Sequence, residues 1–219
     1  APDHGGLAMS LDEVRDRMRL AREESGRQDD EVELIVVSKG RTVEAIADLY
    51  EQGQRAFGEN RAQELVAKAR ELPDDVRWHF VGPLQRNKVG AIRPLVVMLH
   101  SLDRLKLADA WVRDAPDAPP ALLEINLGEE PQKHGFSPSE VGAAADAVIE
   151  KGVDVRGVMA IPPHGEPAAP HFRNLVEIRD ALVLRHPQMT EISAGMTDDF
   201  EEAIRAGATS IRVGRAIFD

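Results

Sequence analysis

The feature of this sequence that most constrains its fold is the regular alternation of short apolar runs with amphipathic, helix-like stretches. Residues 34–37 are typical of the runs, because they are apolar, rich in β-branched side chains and too few for a helix. The helical stretch that follows has Thr42 in position to cap its start and Gly53 to end it. Strands that alternate with helices in this way form a parallel sheet.

The same unit recurs along the whole chain. The predicted strands cover residues 34–37, 55–57, 77–81, 95–100, 121–125, 155–159, 191–193 and 210–213. Helical patterns lie between them at residues 42–52, 61–71, 85–92, 105–114, 138–151, 171–186 and 198–206. Apolar strands in this number predict closure into a (β/α)8 TIM barrel, a fold that needs at least about 200 residues, and the chain has 219. An open, doubly wound sheet is the alternative.

A single domain over residues 11–219 is expected. It starts with an extra N-terminal helix whose apolar face is formed by Leu11, Val14, Met18 and Ala21. The Pro-rich segments at residues 115–120 and 162–170 each lie between a strand and a helix, so we interpret them as loops. Residues 1–10 have neither the basic start nor the apolar core of a signal peptide, and we interpret them as a loose tail.

Composition excludes several classes of function. The net charge of -11 disfavours nucleic acid and anionic membrane surfaces as partners. The absence of cysteine excludes disulfides, thiolate zinc sites and cysteine nucleophiles. The seven histidines have no metal-ligand spacing, so no metal site is expected. No apolar run approaches the roughly 20 residues that span a bilayer, and a cytoplasmic protein is the working class.

Lys39 is the first candidate for chemistry, because reactive groups of such barrels lie at the carboxyl ends of the strands. Of the six lysines it alone follows an apolar strand directly, whereas the others lie in helical patterns or loops. We expect the strand end to desolvate the amine and so to favour its nucleophilic form. The alternative is an ordinary surface lysine.

The loops after the seventh and eighth strands form a second candidate site. Gly195 permits close approach of a ligand to the backbone, and Thr197 is placed to cap the next helix. Gly214 makes a further turn after the last strand. Because phosphate sites of these barrels are often built from these two loops, an anion site is predicted here. A capped helix and a plain turn are the alternative.

Two polar residues fall inside predicted strands. Arg212 alternates with Ile211 and Val213, which places it on the opposite face of the strand. If that strand is buried, the guanidinium needs a ligand atom or a carboxylate as its partner. For His79, taken alone, a core histidine with satisfied hydrogen bonds is the favoured interpretation.

A set of ordered motifs resembles the pyridoxal phosphate homeostasis protein family, which is related to the N-terminal barrel of alanine racemases. The motifs lie at residues 37–39, 57–60, 78–88, 100–104, 157–162, 193–199 and 211–218. The block from Trp78 to Lys88, with Trp-His-Phe followed by Gln-Arg-Asn-Lys, is the most specific of them. The resemblance extends from Leu11 to Phe218.

The resemblance implies a fold-type-III barrel that carries pyridoxal 5′-phosphate (PLP) as a Schiff base on Lys39. Arg212 would face the pyridine nitrogen, and Asn60 and His79 would line the pocket near the ring. The phosphate would lie on the two loops already singled out, at Ser193, Gly195, Met196, Thr197, Gly214 and Arg215. The chain departs from the family pattern at Thr197, where many relatives have Ser, at Arg215, where many have Thr, and in the loop at residues 131–135.

The function that the resemblance implies is to bind PLP and to buffer or deliver it, which maintains vitamin B6 and amino- and keto-acid balance without catalysis. Its partners would be PLP, PLP-dependent apo-enzymes and small amino acids. The alternative, a PLP-dependent amino-acid racemase, needs a proton donor on the opposite face of the cofactor. In alanine racemases that donor is a tyrosine of an added β domain. No C-terminal β domain is expected here, and the one tyrosine, Tyr50, lies in the helix after the first strand.

Overall fold

Eight parallel strands pair with their neighbours in chain order and close on themselves, because β1 pairs with β8 as well as with β2. A computed structural model describes residues 8–218. Its strands are β1 (Glu33–Val37), β2 (Ala56–Glu59), β3 (Arg77–Phe80), β4 (Val96–Leu102), β5 (Ala121–Ile125), β6 (Val155–Ala160), β7 (Glu191–Ser193) and β8 (Ser210–Val213). The predicted barrel is confirmed, and the open sheet is excluded.

Helices cover the outside of this barrel. They are α1 (Leu11–Glu24), α2 (Val43–Glu51), α3 (Ala62–Lys68), α4 (Val89–Ile92), α5 (Leu105–Val112), α6 (Val141–Glu150), α7 (Ala168–Val183), α8 (Phe200–Ala206) and α9 (Arg215–Phe218). The predicted helix at residues 85–92 is instead a 3₁₀ turn, residues 86–88, followed by the single turn of α4. None of the helices within residues 8–218 combines the length and the apolarity needed to cross a membrane.

The extra helix α1 is present, and its start is defined by local chemistry. Ser10 and Glu13 form a capping box, in which Glu13 N donates to Ser10 Oγ (3.2 Å) and Ser10 N donates to Glu13 Oε2 (2.6 Å). Before it, Met9 N donates to Ala216 O (2.6 Å). Of the ten residues predicted as a loose tail, 1–7 lie outside the described residues, whereas Met9 and Ser10 are tied to the barrel and to α1.

The middle of the barrel interior is polar. His79 on β3, His100 on β4, Ser193 on β7 and Arg212 on β8 are all buried, with at most 5% of each residue exposed. They are joined by hydrogen bonds between His79 and His100 (2.9 Å), between His100 and Ser193 (2.8 Å) and from Arg212 to Ser193 (2.6 Å). Each side chain thus has at least one of the partners that burial requires, but His79 Nε2 has none within residues 8–218. His79 is thus a core residue, as one interpretation of the sequence had it, but only its Nδ1 is hydrogen-bonded within residues 8–218.

Both histidines are held in the neutral form. Burial lowers the pKa of His79 to about 3, and the nearby charge of Arg77 acts in the same direction. Burial also holds the pKa of His100 well below its ordinary value, with further contributions from His79 and Arg212. In the unfolded chain each would titrate near the ordinary value of about 6.5. Acidification below that value therefore protonates the unfolded chain first and favours unfolding.

Replacing His79 with Asn should make stability less sensitive to acid. The stability that a neutral His79 contributes is present above about pH 6.5 and is lost as the pH falls towards 3, so its removal should reduce the loss between pH 7 and pH 5 by about 2 kcal/mol. Urea unfolding at both pH values measures this. Exposed His164→Asn is the control, and an equal pH dependence in wild type and H79N would contradict the prediction.

Candidate functional site

A cavity of about 330 Å³ opens at the carboxyl ends of the strands. Its walls come from the residues that end or follow β1, β2, β3, β6, β7 and β8: Val37, Lys39, Asn60, Val81, Gly82, Pro83, Ile161, Met196, Thr197, Asp198, Arg212, Gly214 and Arg215. A cavity of similar size, about 340 Å³, lies at the opposite end among Arg15, Arg22, Glu33, Arg55 and Arg77. The first is the candidate site, because barrels of this kind carry their chemistry at the carboxyl ends.

The structure brings most of the predicted site residues together in this cavity and leaves three outside it. Its lining includes Lys39, Asn60, Met196, Thr197, Arg212, Gly214 and Arg215. His79 and Ser193 are instead buried in the barrel interior, hydrogen-bonded to His100. Gly195 lies beside the cavity and packs on α8, where a Cβ at this position would lie 2.7 Å from Ala203 Cβ.

Lys39 lies in a turn rather than on a buried strand end. β1 ends at Val37, Ser38 is fully buried, and Lys39 and Gly40 are exposed. The expectation that the strand would desolvate the amine is therefore wrong, because the chain has already turned away from the core. Within residues 8–218, no hydrogen bond or ion pair occupies Lys39 Nζ. The amine at the cavity is thus available to an incoming electrophile.

A buried ion pair supports the turn that carries Lys39. Lys68 Nζ, on α3, donates to Glu59 Oε1 (2.6 Å) and to the carbonyl oxygen of Ser38 (2.8 Å). Ser38 Oγ donates to the same Glu59 oxygen (2.7 Å), and the Glu59 side chain is completely buried. Sequence reasoning missed this cluster. The available signal was the helical period, since Lys68 follows Leu65 by three residues on the buried face of α3.

The loop after β7 does not use Thr197 as a helix cap. α8 begins at Phe200 with Asp199 as its N-cap, so the prediction for Thr197 is wrong. Asp199 Oδ1 accepts instead from Met196 N (2.7 Å), which closes the loop on itself. Thr197 is left on the cavity wall beside Met196, where its hydroxyl can face a ligand.

Close approach of two strand ends places Arg215 near Lys39. A Cβ on Gly214 would lie 2.8 Å from the carbonyl oxygen of Val37, so only glycine allows this contact without a shift of the backbone. Arg215 follows as the first residue of the short helix α9 and is exposed. Sequence reasoning interpreted residues 214 and 215 as a turn and missed α9, which has only four residues.

Arg212 forms a cationic wall of the cavity. Its Nη1 donates to Ser193 Oγ (2.6 Å) and its Nη2 to the carbonyl oxygen of Ala160 (3.2 Å), which are the partners that its burial requires. Burial lowers its pKa to about 10, against the opposing effect of Glu124 and Asp199, so it stays charged at neutral pH. Partial burial also raises the pKa of Glu124 to about 7, a half-buried carboxyl group on β5 that sequence reasoning missed.

These groups fit a small ligand that carries both a carbonyl and a phosphate. The amine of Lys39 suits a carbonyl carbon, and the Arg215 side chain with the Thr197 hydroxyl suits an anion. Asn60 Oδ1 is buried and, within residues 8–218, has no hydrogen-bond partner, so it can accept from a donor on the ligand. The volume of about 330 Å³ is that of a small-molecule site. Pyridoxal 5′-phosphate, which the resemblance implies, meets these requirements.

Comparison with known proteins gives consistent results. The chain matches the family model of the alanine racemase N-terminal domain over residues 9–219. The pyridoxal phosphate homeostasis protein of Escherichia coli is 37% identical over 223 residues, covering 97% of this chain and 95% of that protein. Its counterpart in Aquifex aeolicus is 38% identical over 217 residues, covering 95% of each.

Among solved structures, PipY of Synechococcus elongatus with PLP bound is similar to this chain with a TM-score of 0.81 and 33% identity. The match covers 94% of this chain and 100% of that one. Family model, full-length relatives and fold therefore agree. This chain belongs to the alanine racemase N-terminal domain family and, within it, to the pyridoxal phosphate homeostasis proteins.

Proposed function

We propose that this protein binds PLP covalently through Lys39 and buffers or delivers it, so that vitamin B6 and amino- and keto-acid levels are maintained. The observation that carries the proposal is the position of Lys39, Arg212 and Arg215 around one cavity. The PLP bound in the structure of PipY, a relative 33% identical to this chain, supports it. The proposed compartment is the cytoplasm, and apo-enzymes are the proposed acceptors of delivered PLP.

The covalent step needs only the amine and an aldehyde. Condensation of Lys39 Nζ with the aldehyde carbon forms a C=N bond and releases one water, so the bond is reversible by hydrolysis. The buried pair of Glu59 and Lys68 holds Ser38 and so fixes where this amine is presented. A reversible bond at an exposed lysine suits a protein that must also release what it holds.

The phosphate is proposed to lie on the loops after β7 and β8. Thr197 offers a hydroxyl, and Arg215 offers a guanidinium that no other group occupies within residues 8–218. Charge-assisted hydrogen bonds of this kind are shorter and stronger than neutral ones. Gly214 completes the proposed cradle, whereas the predicted contribution of Met196 is limited to the cavity wall, because its backbone N–H already donates to Asp199 Oδ1. Ser193 is left out, because its hydroxyl is bound to Arg212 and His100 inside the barrel.

Arg212 is proposed to face the pyridine nitrogen, with Asn60 near the ring. Bound PLP supplies an electron sink, whose strength depends on protonation of that nitrogen. A guanidinium beside the nitrogen opposes a second positive charge there and so keeps it unprotonated. The sink is then weak, which supports a carrier more than an enzyme of carbanion chemistry.

The racemase alternative lacks support from the position of its one candidate tyrosine. Tyr50 lies near the end of α2 that leads into β2, whereas Lys39 follows the carboxyl end of β1. Its hydroxyl donates to Asp75 Oδ1 (2.6 Å), and Arg55 stacks on its ring at 3.7 Å. A base must reach the proton that it transfers, and Tyr50 is at the other end of the barrel.

Purified protein supplied with PLP should be yellow, and Lys39→Ala should lose the long-wavelength absorption band because the covalent bond cannot form. Borohydride reduction followed by peptide mass mapping should place the label on Lys39. Lys88→Ala is the matched control, since Lys88 lines a separate surface groove near the same end of the barrel. A label on any other lysine would refute the assignment.

Arg215→Ala should weaken PLP retention by about tenfold, the loss expected for one hydrogen bond to a charged group. Fluorescence titration of the ligand-free protein measures the dissociation constant. Arg215→Lys keeps the charge and should lose less. An unchanged affinity in R215A would remove this residue from the phosphate site.

Racemase turnover should be negligible. We expect L-alanine incubated with the PLP-loaded protein to lose optical purity no faster than in a control with PLP alone, because Tyr50 is bound to Asp75 at the other end of the barrel and cannot supply the second proton. Polarimetry or chiral chromatography over time measures this. Loss of optical purity above the control that disappears in K39A would favour the racemase alternative.

A further inference from the structure

A hydrogen-bonded chain crosses the barrel interior beneath the cavity, and the proposed PLP site does not use most of it. Arg212 Nη1 is 2.6 Å from Ser193 Oγ, which is 2.8 Å from His100 Nδ1. His100 Nε2 is in turn 2.9 Å from His79 Nδ1. Its members come from β8, β7, β4 and β3, so the chain runs through the interior from one side of the barrel to the other.

Arg212, the charged end of this series of hydrogen bonds, determines which partner donates the proton in each of them. An arginine has only donors, so Ser193 Oγ must accept from Arg212 and is left to donate its own proton to His100 Nδ1. His100, neutral and with Nδ1 as an acceptor, carries its proton on Nε2 and donates it to His79 Nδ1. His79 then carries its proton on Nε2.

The reverse order leaves groups unsatisfied. If His100 Nδ1 donated to Ser193, the serine oxygen would receive two donors, and its own proton would have no acceptor in the chain. His79 would also present a lone pair at Nε2 towards Glu33, whose Oε2 is 3.7 Å away. A lone pair facing a carboxylate is repulsive, whereas an N–H in the same place is attracted to it.

Glu33 is held at this far end of the chain by Arg77. Arg77 Nη1 lies 2.7 Å from Glu33 Oε1, which keeps the carboxylate beside His79. His79 Nε2 is buried and has no hydrogen-bond partner within residues 8–218. The carboxylate that faces it is Glu33, beyond hydrogen-bond distance but close enough to attract an N–H. The attraction from Glu33 therefore favours the same proton order as Arg212 does from the other end.

We propose that His100, supported by His79, is a positioning residue that locks the Ser193 hydroxyl with its lone pairs towards Arg212 and so holds that guanidinium in the wall of the cavity. The proposal rests on the proposed function, in which Arg212 faces the pyridine nitrogen of PLP.

The orientation of the Ser193 hydroxyl matters because Arg212 is also attracted by two carboxylates. Glu124 on β5 and Asp199 beside α8 both act on its charge. Without Ser193 as an acceptor, the one hydrogen bond left to the Arg212 side chain within residues 8–218 is that to the Ala160 carbonyl, at 3.2 Å. The guanidinium would then shift towards one of the carboxylates. The Ser193 hydroxyl thus keeps the guanidinium in the cavity wall rather than beside Glu124 or Asp199.

The first experiment tests the proton order in the ligand-free protein. NMR of the histidine-¹⁵N-labelled protein at pH 7 should show two neutral rings protonated at Nε2, assigned as His79 and His100 by their loss in H79N and H100N. Ser193→Ala should shift the Nδ1 signal of His100, because its donor is removed. A charged ring, or a proton on Nδ1 of His100, would overturn the proposal.

The second experiment tests the positioning of Arg212. Ser193→Ala should weaken PLP binding by about tenfold, the factor for one hydrogen bond to a charged group, and should shift the absorption maximum of bound PLP. Ser210→Ala is the matched control, since Ser210 pairs with Ser193 between β7 and β8 and is also buried. It should bind as wild type, and circular dichroism checks the fold of each variant.

Substitutions at His100 separate positioning from packing. His100→Leu should reproduce the loss and the spectral shift of S193A, whereas His100→Asn keeps an acceptor for the serine proton and should restore both. Wild-type affinity and spectrum in S193A, or no difference between H100L and H100N, would overturn the positioning role. If instead the wild type bound no PLP, the proposed function would fail, and the NMR result would still decide the proton order.

Discussion

The pairing of β8 with β1 is the constraint on which the site depends. The two strands are in register from Glu33 with Ser210 to Val36 with Val213, so their carboxyl ends finish side by side. Gly214 then passes so close to the Val37 carbonyl that a side chain would collide with it. Because of this contact, the turn with Lys39 and the loop with Arg215 face one cavity, although the two residues stand at opposite ends of the sequence.

The polar side chains of the barrel interior cost free energy to bury, but their hydrogen bonds define one arrangement of these side chains. A buried guanidinium and two buried imidazoles cost free energy unless every donor finds an acceptor. Here the donors and acceptors from Arg212 to His79 Nδ1 match when the histidines are neutral, which agrees with the lowered pKa of each, and His79 Nε2 is left with no closer partner than Glu33 Oε2 at 3.7 Å. An apolar interior would pack more simply, but it could not hold a charged side chain at the base of a ligand cavity.

The fold could be predicted from the sequence because its signal is periodic and repeated. The strands at residues 121–125, 191–193 and 210–213 have the predicted bounds, since each is a short segment between clear breaks. The site could be predicted in outline only. Lys39 is exposed because the chain turns after Val37, and this turn leaves no pattern in one sequence. Glu59, Lys68 and Glu124 act through partners far along the chain, which a single sequence does not reveal.

The buried carboxylate of Glu59 has one further consequence. One of its oxygens serves Lys68 and Ser38, while the other has no partner within residues 8–218. Separation of the Lys68 ammonium would leave this buried carboxylate without its counter-charge, which is costly. The ion pair therefore holds α3 against the ends of β1 and β2. The turn that carries Lys39 is therefore already in place when a ligand binds or leaves. The exposed residues around the cavity opening can vary without disturbing this ion pair.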